Sequence, residues 1–236
     1  MMWWIKTILT LGLLFLSILA IIYYMPDNYQ FCPYNYGPQG ISDLYSSFHN
    51  TTSSVTLLII VGKNIENFSW ILNYVSNGNT LIIAGNYTLV NSLLSSLGVK
   101  MILEADVITC YQYYINGEFT LINFSGITLV FPFPHAIVGG IPIVKTSKGQ
   151  SLVSYLSIGK GRIILFSTPY IFINKYYKTF NNSEFIHELI GKQNLRLLLT
   201  QGFTSLGKSK EALSEFLNSL TSLRLDELFT CYMRCY

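Results

Sequence analysis

An uninterrupted run of 18 residues without a charge, Thr7 to Tyr24 (TILTLGLLFLSILAIIYY), constrains this chain more than any other feature. About 20 apolar residues cross the hydrocarbon core of a bilayer, and Trp3, Trp4 and Ile5 bring the run to that length. Trp3 and Trp4 at one end, with Tyr23 and Tyr24 at the other, stand where aromatic belts lie at the two interfaces. Lys6 is the only charge before the run and Asp27 the first after it, so the positive-inside bias puts the N-terminus in the cytoplasm and the body outside. The competing reading is a cleaved signal peptide. The stretch is long for such a segment, and Ile18 and Ala20 stand where two small residues are wanted. The expectation is an uncleaved signal anchor over residues 1–25, touching lipid through residues 3–24.

No second span is expected. Leu121 to Val144 also lacks charge, but Pro132, Pro134, Pro142 and the Gly139-Gly140 pair break any helix there and read as strands and turns. Half of the 236 residues are hydrophobic, enough for a sizeable core. Charged residues make up only 11%, against about 25% in soluble domains, and the net charge of +3 is too small and dispersed for a nucleic-acid surface. Asn, Ser, Thr and Tyr replace charge, giving a polar but neutral surface. Outside an acidophile, where carboxylates are protonated, such a surface keeps its solubility. Five N-x-Ser/Thr sequons, at Asn50, Asn67, Asn86, Asn123 and Asn181, are candidate glycosylation sites. The four cysteines, Cys32, Cys110, Cys231 and Cys235, allow up to two disulfides in three pairings that the sequence leaves open.

Residues 26–36 read as an extended connector between membrane and body. A Gly37-Pro38-Gln39-Gly40 turn leads into a helix carrying Ile41, Leu44, Tyr45 and Phe48. Thr56 to Val61 and Leu81 to Ala84 are continuous apolar runs, as in parallel strands buried on both faces, with a helix from Ile65 to Val75 between them. Leu89, Val90, Leu93, Leu94 and Leu97 stripe a helix that Gly98 closes, and Lys100 to Leu103 reads as a further strand. Asn116-Gly117 predicts one hairpin, between Val107–Tyr114 and Phe119–Phe124, and Gly159-Lys160-Gly161 a second, between Leu152–Ile158 and Arg162–Phe166. Asn182 is expected to cap a helix with Phe185, Ile186 and Leu189 inward. Residues 193–236 read as a helical tail, with Ser209 capping Lys210 to Leu223, packed on its own domain.

Motifs that carry chemistry are missing: no GxGxxG, Walker A, HExxH, GxSxG or GxCxG occurs. His135, between Pro134 and Ala136, is the histidine with the most site-like setting, although a lone His in an apolar loop is commonly structural. Glu104 and Asp106 read as solvated turn carboxylates. Gly37 to Gly40 could offer free backbone N–H groups to a ligand, though short glycine turns usually just reverse the chain. No metal ligand set and no cofactor motif are present, and no catalytic residue is assigned.

Three stretches together, NYGPQGISDLYSSF, TLLIIVGKNIENFSWILNYVSNGNTLIIAGNYTLVNSLLSSLGV and SIGKGRIILFSTPYIFIN, resemble a family of membrane-anchored domains of unknown function. The resemblance implies a fold similar to class I glutamine amidotransferases. Gly78-Asn79 departs from the family's double glycine, and Ala84-Gly85-Asn86-Tyr87 occupies the turn where an amidotransferase carries its cysteine. The resemblance therefore implies the fold without the chemistry. Some relatives are encoded beside AAA-type ATPases and von Willebrand factor A-like proteins, which implies assembly work with such a system at the membrane.

The expected architecture is thus α/β: a transmembrane helix, then a mostly parallel three-layer sheet domain over residues 37–192, amidotransferase- or flavodoxin-like, with added hairpins and C-terminal helices. The expected function is a non-catalytic ectodomain for binding or assembly, with Gly37, Gly40 and Asn86, gathered at the strand ends, and His135 as ligand-binding candidates. The alternatives are a membrane-anchored hydrolase with its site at those ends, and a structural envelope glycoprotein.

Overall fold

The computed structural model describes residues 2–25, 27–48, 55–62, 69–108, 119–191 and 194–199, together with residues 209, 210, 212 and 213. Contacts divide the chain into two units, Met1–Asp27 with Phe203–Tyr236, and Asn28–Gly202.

In the first unit, α1 (Met2–Tyr24) is one continuous helix, and its Trp3–Ile22 portion is long and apolar enough to cross a membrane. Its hydroxyls are satisfied internally: Thr7 Oγ1 donates to Trp3 O at 3.1 Å, Thr10 Oγ1 to Lys6 O at 2.9 Å and Ser17 Oγ to Leu13 O at 2.8 Å. These three hydroxyls therefore need no water. Just past the helix, Lys210 Nζ donates to Met25 O, satisfying a carbonyl that the helix itself leaves open.

The second unit runs α2 (Ser42–Ser47), β1 (Val55–Val61), α3 (Ser69–Ser76), β2 (Thr80–Gly85), α4 (Tyr87–Ser96) and β3 (Ile102–Val107). There follow β4 (Phe119–Phe124), β5 (Ile127–Pro132), β6 (His135–Val138), β7 (Ile141–Lys145), β8 (Ser151–Ile158) and β9 (Gly161–Phe166). A 3₁₀ turn (Tyr170–Phe172), α5 (Asn174–Tyr177), α6 (Asn182–Ile190) and β10 (Asn194–Leu199) complete it. The fold is mixed α/β. Eight strands form one sheet in the order β10-β1-β2-β9-β8-β6-β3, with β7 also on β8, and β4 and β5 form a separate pair. β10, β1, β2 and β9 are mutually parallel, and the pairs from β9 outward to β3 are antiparallel.

The apolar runs of β1 and β2 follow from cover on both faces. Leu57, Ile59, Val61, Leu81, Ile83, Ile163 and Leu165 pack with Ile71 and Val75 of α3 and with Val90, Leu93 and Leu94 of α4. Side chains alternate along a strand, so Phe166 faces the other way, and there its ring meets Phe172 at 4.9 Å and Phe185 of α6 at 6.4 Å. α4 closes as Gly98 predicts: Gly98 takes φ +64, its N–H bonds Ser95 O and the Val99 N–H bonds Leu94 O, both bonds of a Schellman motif. The β8–β9 hairpin also forms, with Gly159 at φ +59 in its two-residue turn.

Other elements differ from expectation. Residues 28–36 are no extended connector, because Phe31, Cys32 and Asn35 are buried in the body. The strand expected at Lys100–Leu103 lies at Ile102–Val107 on the far edge, antiparallel to β6. Its exposed Glu104 and Asp106 suit an edge strand and not a doubly buried one. β4 pairs with β5 across Ser125-Gly126, and Asn116-Gly117 lies outside the described residues. The cap of α6 is Asn181, while Asn182 enters the first turn with its amide buried. Ile190 is buried at the end of that helix where Leu189 is only half-buried. The segment from Asn194 is a strand and not a helix, since an unfilled edge of β1 offers it a full parallel ladder from Val55↔Asn194 to Ile60↔Leu199. Most of the expected tail helix lies outside the described residues.

Candidate functional site

A cavity of about 260 Å³ opens at the carboxyl ends of β1, β2 and β9, the place where α/β sheets gather their ligands. β1 supplies Ile60 and Val61, and the turn from β2 into α4 supplies Gly85, Asn86 and Tyr87. That turn lies directly on β1. Asn86 N–H donates to Val61 O at 3.1 Å, and a Cβ on Gly85 (φ +151) would collide with the Val61 backbone, so only glycine fits. Asn86 caps α4, its Oδ1 accepting from Thr88 N–H at 3.1 Å, a bond that does not use the Nδ2 protons.

His135 opens β6, and its N–H donates to Ser167 O at 3.1 Å, which joins it to the end of β9. Its ring lies 5.4 Å from Tyr87. His135 Nδ1 is buried and lacks a partner among the described residues, a condition shared by Ser167 Oγ and Thr120 Oγ1. The remaining wall comprises Phe31, Phe133, Thr168, Pro169 and Tyr170. Phe31 and Phe133 flank Tyr170, with ring centroids 5.9 and 6.0 Å from it.

The structure brings Asn86 and His135 together in this lining, but not Gly37 and Gly40. Those glycines serve packing: a Cβ on Gly40 would collide with Asn35 O, Gly37 O accepts from Asn174 Nδ2 at 2.8 Å and Gly40 O from Asn174 N–H at 2.7 Å. Of the sequons, Asn86 and Asn123 are exposed. The Asn181 amide is engaged on both sides, by Thr128 N–H and by Glu184 Oε2. Asn50 and Asn67 lie outside the described residues, as do Cys110, Cys231 and Cys235, while Cys32 is buried. Among the described residues no group of three or more His, Cys, Asp or Glu could hold a metal ion.

Phe31, Phe133, Thr168 and Tyr170 went unread in the sequence. The end of the third parallel strand, Ser167-Thr168-Pro169, was the available signal. Among the described residues the lining contains no Asp, Glu, Lys, Arg or Cys. Chemically it offers aromatic faces, an amide donor, a hydroxyl and one imidazole.

No family model and no curated protein matches the chain. Among solved structures, it is similar to the mmIFT52 N-terminal domain, with 13% identity and a TM-score of 0.43, over 58% of this chain and 75% of that one. It is also similar to the exo-β-1,4-mannosidase Op5Man5 from Opitutaceae bacterium strain TAV5, at 15% identity and TM-score 0.38, over 60% of this chain. A catalytic mutant of the GH42 β-galactosidase Gan42B from G. stearothermophilus matches over 58% of this chain, at 15% identity and TM-score 0.38. The chain spans 25% and 21% of the lengths of those two enzymes.

Proposed function

We propose that this chain is a single-pass membrane protein, cytoplasmic at its N-terminus, whose external body is a non-catalytic binding module that keeps an amidotransferase-like three-layer arrangement without its nucleophile. The observation that carries this reading is the turn after β2: Asn86, capping α4, occupies the strand-end position at which an amidotransferase needs a thiolate. An amide nitrogen is no nucleophile, and among the described residues no thiol or carboxylate joins it in the lining. The apolar α1 and the sequons after it support the topology. Assembly with an AAA-type ATPase system belongs to this proposal through the family resemblance.

A membrane-anchored hydrolase is the second reading, favoured by His135 Nδ1 in the crevice, which has no partner among the described residues. Glutaminase and p-nitrophenyl ester assays on the full chain in detergent decide between them. We expect both at background; turnover that disappears in His135→Ala would overturn the non-catalytic reading.

A further inference from the structure

Two of the rings in the crevice are held at a conformational cost. Phe31 and Phe133 have φ of 60° and 46°, a region that bulky L-residues rarely enter because Cβ crowds the neighbouring carbonyl. Burial offsets that cost at Phe31, which is 7% exposed, but not at Phe133, which is 45% exposed. A ring displayed to solvent on a strained backbone, at the wall of a cavity, fits a surface kept for a ligand to cover.

We infer that the strand-end crevice binds a neutral sugar ring against Phe133 and Tyr170; the inference rests on reading the crevice as a binding site. Charge is the first argument. Among the described residues no Asp, Glu, Lys or Arg lines the cavity, so none of them offers a charged ligand the counter-charge that would offset its lost water.

Ring geometry is the second. Tyr170 meets Phe31 at 41° and Phe133 at 74°, and Tyr87 meets His135 at 38°. None of these pairs makes a parallel slot that would sandwich a flat heterocycle. A puckered ring suits them, since it presents C–H groups to the aromatic faces and hydroxyls at its rim.

The polar groups are the third argument. Asn86 Nδ2 can donate, Thr168 Oγ1 can accept, and buried His135 Nδ1 lacks a partner among the described residues. A hydroxyl both donates and accepts, so it satisfies that nitrogen whichever ring position carries the proton. The volume of about 260 Å³ lies just under the roughly 300–1,000 Å³ of sites for drug-sized ligands, which limits the occupant to about one ring.

The test is saturation-transfer NMR on the full chain in a zwitterionic detergent, because glycosidic detergents would supply the ligand themselves. The probes are glucose, galactose, mannose and N-acetylglucosamine, with adenosine and glucuronate as the flat and the charged alternatives. We expect saturation of the ring C–H protons of at least one neutral sugar. Methyl glycosides of the same sugars then separate a glycan end, which tolerates the methyl group, from a free sugar, which does not.

Phe133→Gly relieves the backbone while removing the ring, so it should melt no lower than the parent yet lose the sugar signal several-fold. Asn86→Asp keeps the helix cap, removes the Nδ2 protons and should weaken the signal likewise. Silence of all four sugars, saturation of adenosine or glucuronate in their place, or an undiminished sugar signal in Phe133→Gly would each overturn the inference. Glutamine or ester hydrolysis would instead overturn the non-catalytic reading, whatever the sugars do.

Discussion

The buried side-chain amide of Asn182 serves Val130 as a neighbouring strand would: Val130 N–H donates to Asn182 Oδ1 at 2.8 Å, and Asn182 Nδ2 donates to Val130 O at 2.9 Å. The same Nδ2 reaches Tyr176 O at 3.0 Å, so one amide ties α6 to β5 and to α5. Asn91 does the same for Leu103, with both bonds at 2.8 Å. Part of the asparagine content thus completes the backbone ladder where strands lack partners.

Replacing Asn182 by alanine should strand two buried backbone groups, the N–H and C=O of Val130, each worth about 1–3 kcal/mol when left unpaired, while Tyr176 O keeps the Thr179 N–H. Some relaxation is inevitable, so we expect a loss of about 3 kcal/mol, seen as a lower urea midpoint with an unchanged slope. Asn123→Ala, on an exposed site, should stay within about 0.5 kcal/mol.

Two glycines should respond in opposite ways. A methyl group on Gly40 collides with the backbone carbonyl of Asn35, which Asn174 holds in place, so Gly40→Ala should fail to give a cooperatively folded body. Gly98 has open space around its Cβ position and only its left-handed φ to defend, so Gly98→Ala should cost about 1–2 kcal/mol and leave the fold intact. Thermal unfolding of the two variants side by side checks both.

His187 stacks on Phe48 at 4.3 Å and shares a hydrogen bond with Tyr177 OH at 3.1 Å. Burial lowers its pKa from the ordinary 6.5, so the unfolded chain takes up the proton more readily than the folded one. Its contribution is therefore complete above pH 6.5 and is lost as the pH falls through the lower folded-state value. Stability against pH for the parent minus that for His187→Gln should show a decline on the acid side of 6.5; a flat difference would contradict the assignment.

Topology makes its own demand. With Lys6 before the uncharged run Thr7 to Tyr24 and the sequons after it, protease added to intact cells should digest the body and leave a short membrane-held N-terminal fragment. Protection until the cells are lysed would reverse the orientation.

What the sequence by itself determined was local. The length and neutrality of the Thr7 to Tyr24 run, the apolar runs of β1 and β2, the Gly98 stop after α4 and the Gly159-Lys160 turn are each written within a few neighbouring residues. Each reflects a constraint that acts over that range: bilayer thickness, side-chain alternation, or the φ that only glycine takes freely. Asn86 was also legible as a crevice residue, because a turn after a buried strand has a known destination, whereas His135 read only as a histidine in a site-like loop. The tertiary structure decided what depends on a partner distant in the chain. It made Asn194–Leu199 a strand because the edge of β1 was there to pair with, and it sent Ile102–Val107 to the far edge, antiparallel to β6. It also set Gly37 and Gly40 against Asn35 and Asn174 instead of in the crevice, and drew Phe31, Phe133 and Tyr170 into one wall. Backbone hydrogen bonds and apolar surface are satisfied by whichever group reaches them first in space, and no local pattern of residues records which one that is.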